Sequence, residues 1–168
     1  MPPILTKSQI EKLEKNKSEG KTSDKVVSVK NFVEPDIEKF TELLPKPMKP
    51  LAKAFVKAGR LYDLSPAFLA AISAHETGLG TSDAFKRNNA MGVTGSAMTP
   101  RSFEEPEESI MLMAKILASP RGPYAKTSTI KDIGLVYSPP NAKNDPRNLN
   151  HFWVDGVTKF YNAFNTVA

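Results

Sequence analysis

The chain has 168 residues, 40% hydrophobic and 24% charged, which fits one compact domain with a tail and argues against wholesale disorder. It has no cysteine, which excludes a disulfide framework, a thiolate zinc site and a cysteine nucleophile; two histidines leave few candidates for a histidine metal site or a triad base. A net charge of +5 suits an anionic partner such as nucleic acid, a membrane surface or an acidic wall polymer, without choosing among them.

The first residues carry no apolar core and no small-residue cleavage site, so no secretory signal is expected. No apolar run nears the roughly 20 residues of a bilayer span. Residues 1–50 are rich in Lys, Glu and Ser and read as a polar N-terminal arm. Ser8-Gln9-Ile10-Glu11 is a capping box that starts a short helix reaching Lys17. Residues 18–25 read as a linker. Asp36 to Leu44 is a second short helix, with Ile37, Phe40, Leu43 and Leu44 on one face and Pro45, Pro47 and Pro50 as its stop. Such an arm buries little alone, and reads either as a tail or as a segment that orders on a partner.

Residues 51–168 read as a separate, mainly helical domain. Leu51, Ala54, Phe55, Ala58, Leu61 and Tyr62 recur at helical spacing. Ser65-Pro66 opens the next helix as cap and first residue, and Gly78 and Gly80 end it. Residues 86–103 read as loop or a small hairpin. Pro106 to Ala118 is a helix, Ser119 to Pro123 breaks it, and Thr129 to Tyr137 is a short helix. Residues 138–148 are a loop, and Asn150 caps a final helix whose stripe is Trp153, Val154, Val157, Phe160, Tyr161 and Phe164.

The informative stretch is Phe68 to Ser82. Glu76 stands at the C-terminal end of an apolar helix, beside glycines that open a cleft. Burial disfavours a charged carboxylate, and the negative end of the helix dipole acts the same way. A carboxyl that keeps its proton near neutral pH is what a general acid requires. The plain alternative is a solvated helix end.

Glu76-Thr77-Gly78-Leu79-Gly80-Thr81-Ser82 resembles the active-site segment of the glucosaminidase family of peptidoglycan hydrolases. Asn88-Asn89-Ala90-Met91-Gly92-Val93, Arg101 to Ile110, Gly134 to Pro139, and Asn144-Asp145-Pro146 with Trp153 follow in that family's order. The resemblance covers about residues 51–166 and leaves 1–50 unmatched. It implies a lysozyme-like helical domain with a small, shortened hairpin or loop lobe. It also implies Glu76 as catalytic acid, Tyr137 as a second active-site residue, and Asn88, Asn89 and Tyr124 at the cleft. No metal or cofactor is implied. The substrate would be bacterial peptidoglycan cut at β-1,4 bonds, with the chain acting as an endo-β-N-acetylglucosaminidase.

Many members of that family place a second carboxylate in the hairpin. Here Thr94 to Pro100 contains none, and the nearest candidates are Glu104 and Glu105. Three routes stay open: Glu104 or Glu105 serves, the substrate's acetamido group assists, or Glu76 works alone as in lytic transglycosylases. The expected setting is a phage virion or the bacterial wall, with residues 1–50 contacting a phage structural protein. A structural protein that has lost activity is the reading of another class. A nucleic-acid module is disfavoured, because lysines alternate with acids in the arm and no helix has a basic face.

Overall fold

The computed structural model describes residues 27–94, 101–143 and 145–166. The helix expected at 8–17, the linker at 18–25 and most of the shortened hairpin lie outside the described residues. Seven α-helices and two short 3-10 helices form the described fold, with no β-strand among them, so the protein is mainly α. No described helix is long and apolar enough to cross a membrane.

Helix α1 (Ile37–Leu43) starts at Asp36, whose carboxylate accepts the amides of Glu38 and Lys39 at 3.1 Å. Only part of its expected apolar face is inward. Phe40 and Leu44 are buried, while Ile37 and Leu43 are exposed. The prolines that follow do not simply punctuate. Pro45 caps, and Pro47 and Pro50 sit within, a 3-10 helix (Lys46–Leu51) that buries Met48 and Leu51.

The boundary expected near residue 50 does not separate an arm from a domain over the described residues. Val29, Phe40, Leu44 and Met48 share one core with Phe55, Phe68 and Ile72. Burying one such side chain contributes about 1.5–3 kcal/mol, so four of them matter against a net stability of about 5–15 kcal/mol. Polar ties fix the path. Val29 N–H donates to the Ser128 carbonyl at 2.8 Å, and the Val29 carbonyl accepts Ser65 N–H at 2.8 Å. Asp63 accepts Phe32 N–H at 2.8 Å, and Arg60 grips Glu34 through both carboxylate oxygens at 2.7 and 2.8 Å. Charged residues and prolines separate the apolar residues here, but the apolar ones decide the packing.

Helix α2 (Ala52–Tyr62) leads through a left-handed Asp63 into α3 (Pro66–Glu76). The Ser65 hydroxyl caps α3 by accepting Phe68 N–H at 3.3 Å. Every residue of α3 from Pro66 to Ala74 is buried, because neighbours cover it on several sides. Short α4 (Asp83–Lys86), which the sequence reading did not anticipate, leads into the loop expected at 86–103. Then come α5 (Pro106–Ala118), α6 (Ile130–Tyr137) and, after a 3-10 turn at Leu149–His151, α7 (Phe152–Phe164).

The most extensive helix contact is between α3 and α7. Trp153, Val157, Tyr161 and Phe164 are the buried residues of α7. Two glycines permit close approach. A Cβ on Gly156 would stand 2.5 Å from His75 Nδ1, and one on Gly134 would stand 3.0 Å from the Trp153 ring. Asn150 is not the cap of α7. Its side chain donates to the Pro139 carbonyl at 2.9 Å, and Asp145 instead accepts the amides of Leu149 and Asn150 at 2.9 and 2.8 Å.

Candidate active site

Helix α3 stops at Glu76 for local reasons. The Thr77 hydroxyl turns back to donate to the Ser73 carbonyl at 2.6 Å. Gly78, Leu79 and Gly80 then adopt left-handed backbone, with φ of 56°, 62° and 82°. Leu79 N–H closes the end on the Ala74 carbonyl at 2.9 Å. Gly80 has no alternative, since a Cβ there would lie 2.9 Å from Pro47. Glu76 is left on the last helical turn, beside the returning chain.

That returning chain is a hydrogen-bonded turn. Asn89 is fully buried and satisfies itself locally: its amide donates to the carbonyls of Val93 at 2.8 Å and Arg101 at 3.0 Å, and its oxygen accepts Val93 N–H at 2.9 Å. Asn88, left-handed at φ 60°, donates to the carbonyls of Phe103 and Glu104 at 3.2 and 2.8 Å. Ser73 and Ser109 pin Ala90 from α3 and α5, through its carbonyl at 2.5 Å and its N–H at 2.9 Å. Gly92, at φ 66°, then crosses Glu76 so closely that a Cβ would sit 3.1 Å from the Glu76 Cβ.

A cavity of about 340 Å³ opens above this point, lined by Glu76, Gly92, Val93, Thr94, Met113, Ile116, Tyr124 and Tyr137. Tyr124 and Tyr137 form one side, with ring centroids 6.4 Å apart. Behind them lies Trp153, stacked on Tyr137 at 4.9 Å and 27°. Its indole N–H donates to Glu76 Oε1 at 3.0 Å. A second groove of about 270 Å³, between residues 27–40 and the end of α7, has no carboxyl or histidine in its lining.

Burial pushes the Glu76 carboxyl up from its ordinary 4.5 to about 7, and the Trp153 hydrogen bond opposes this without cancelling it. Burial also pushes Tyr137 well above the ordinary phenol range, and Glu76 and then Tyr124 add to the effect. Burial likewise raises Tyr124 and lowers His75, so each favours its neutral form. The site is a nearly uncharged pocket with one carboxyl poised near neutral pH.

The structure brings together Glu76, Tyr137 and Tyr124. It keeps Asn88 and Asn89 out of the cavity lining, with their amides engaged on the turn's own carbonyls. Glu104 and Glu105 also lie outside the lining and are exposed. Their amides start α5 by donating to Glu108 at 3.0 and 3.3 Å. Among the described residues no carboxylate other than Glu76 lines the cavity, and no cluster of three or more His, Asp or Glu could hold a metal.

Sequence reasoning missed the partner of Trp153, which it placed on the apolar stripe of the final helix. The available signal was chemical: a buried indole N–H needs an acceptor, and Glu76 is the carboxyl at the end of an otherwise apolar helix. Comparison with known protein families and with curated proteins finds no match for this chain.

Proposed function

We propose that this protein cleaves β-1,4 glycosidic bonds of the peptidoglycan glycan strand, with Glu76 as the general acid. The observation that carries the reading is a carboxyl held near pKa 7 at the floor of a cavity walled by Tyr124 and Tyr137. Such an acid is protonated often enough at neutral pH to deliver its proton, and basic enough afterwards to take one back. The tyrosines give the cavity an aromatic lining suited to a sugar ring, and the net charge of +5 favours an anionic wall.

The single carboxyl narrows the chemistry. Glycosidases ordinarily use two carboxylates, and among the described residues the lining supplies one. The second group then comes from the substrate, which favours an N-acetylated amino sugar. Glu76 donates its proton to the glycosidic oxygen as the bond to the anomeric carbon breaks. The acetamido oxygen closes on that carbon, and water opens the ring while returning a proton to Glu76. At an N-acetylglucosamine residue this route makes the protein an endo-β-N-acetylglucosaminidase. The same single carboxyl supports a second reading, a lytic transglycosylase in which the C6 hydroxyl of N-acetylmuramic acid attacks instead.

Purified peptidoglycan digested by wild type and by Glu76→Gln, reduced with borohydride and analysed by mass spectrometry, tests both. Reduced N-acetylglucosamine ends made only by wild type support the first reading, and anhydro-muramic ends the second. Reduced muramic ends would mean a muramidase. No cleavage of several wall types by wild type would refute the glycosidase.

A further inference from the structure

We propose that Trp153 is a positioning residue that decides which oxygen of Glu76 carries the acid proton, and so aims that proton into the cavity. The inference rests on the proposed role of Glu76. An indole N–H can only donate. A protonated carboxyl accepts best at its carbonyl oxygen, so the 3.0 Å bond at Oε1 leaves the proton on Oε2. No described residue forms a hydrogen bond with Oε2, and Glu76 lines the cavity.

The indole cannot readily swing away. Tyr137 stacks on one face at 4.9 Å, His75 meets it edge-on at 6.4 Å, and Gly134 lies so near its six-membered ring that a Cβ there would stand 3.0 Å away. Once the proton has left, the same N–H faces a full carboxylate and the bond becomes charge-assisted. Trp153 therefore supports the form of Glu76 that exists only after the proton is given, and resists the wrong tautomer before it.

Among the described residues the titratable groups facing Glu76 are few. They are His75 on its own helix, Tyr137 on α6 and Tyr124 on the preceding loop, and each favours its neutral form. Helix α5 contributes Met113 and Ile116, and the turn contributes Gly92, Val93 and Thr94, none of which ionises. A signal at Trp153 that changes near pH 7 and is lost in Glu76→Gln reports Glu76 and not the neighbouring His75.

The test uses the full chain and no substrate. Trp153 is the single tryptophan, so its indole ¹H–¹⁵N resonance is unambiguous. It should move with a midpoint of about 7, the same as that of the Glu76 ¹³C carboxyl, and should stay flat in Glu76→Gln. Trp153→Phe keeps a stacking ring and removes the donor. Its Glu76 midpoint should rise by about 1 pH unit, and the basic limb of wall cleavage should rise with it, while the maximal rate falls roughly tenfold or more. A residue that merely fills space would lower the rate without moving the midpoint.

An indole resonance indifferent to Glu76 ionisation overturns the proposal, as does a Trp153→Phe carboxyl with the wild-type midpoint. If that variant does not fold, the wild-type indole titration decides alone. Coupled titration without any wall cleavage would uphold the proton's placement and refute the glycosidase reading.

Discussion

Replacing Glu76 by Gln should stabilise the protein, by an amount that grows with pH. The carboxyl has an ordinary value of 4.5 in the unfolded chain and about 7 in the folded one. Between these values the folded state holds a proton that the unfolded state has released. Stability therefore falls as pH rises through this window. Below 4.5 both states are protonated and no penalty exists; above 7 both are ionised and the penalty is complete. The difference between the two values corresponds to about 3 kcal/mol. Glutamine has the same shape, keeps an oxygen for the Trp153 N–H and has no proton to lose. Wild type and Glu76→Gln should thus be equally stable near pH 4 and differ by about 3 kcal/mol at pH 8, or roughly 10 °C in Tm for a chain of this size. Urea unfolding followed by circular dichroism from pH 4 to 9 measures this directly. A difference that does not vary with pH would mean that Glu76 ionises like a solvated carboxylate, and the general-acid argument would fail.

Three other substitutions probe the frame around the acid. Asn89→Ala removes three internal hydrogen bonds in a buried turn, and should destabilise the fold by about 2–4 kcal/mol in urea titrations. Gly92→Ala forces a side chain into left-handed backbone against Glu76, at about 1–2 kcal/mol of stability. Its wall cleavage should fall by much more than that loss explains, because the acid itself is displaced. Lys30→Met keeps the apolar stem but removes the ammonium that donates to the Tyr124 carbonyl at 2.5 Å. Hydrogen exchange across residues 124–128 should accelerate, while exchange in α3 stays at the wild-type rate.

What the sequence made legible was local. Ser65-Pro66, Pro106 and Thr129 mark helix starts through chemistry that acts within three residues, and the helices begin there. Glu76 and Tyr137 were found at the ends of their helices, and the structure brings both to one cavity. What was illegible depended on distant partners. Val29 and Met48 sit in polar, proline-rich surroundings, and nothing nearby announces that they are buried. Asn88 and Asn89 have the same side chain a sugar site would use, and only the positions of the Val93, Arg101, Phe103 and Glu104 carbonyls show that the amides are already engaged. Ile37 and Leu43 fit the helical period, yet are exposed, because a two-turn helix at the edge of the fold turns only Phe40 and the following Leu44 into the core.

The bond between Trp153 and Glu76 spans 77 positions of sequence. Contacts so far apart along a chain close late in folding, after local helices and short loops have formed. During synthesis the Glu76 segment leaves the ribosome long before Trp153 does, and until α7 docks its carboxyl is a wetted group of ordinary acidity. The raised affinity for a proton belongs to the assembled helices and to no shorter piece of the chain. It therefore serves as a marker of complete assembly: a species in which Glu76 titrates near 7 has already seated α7.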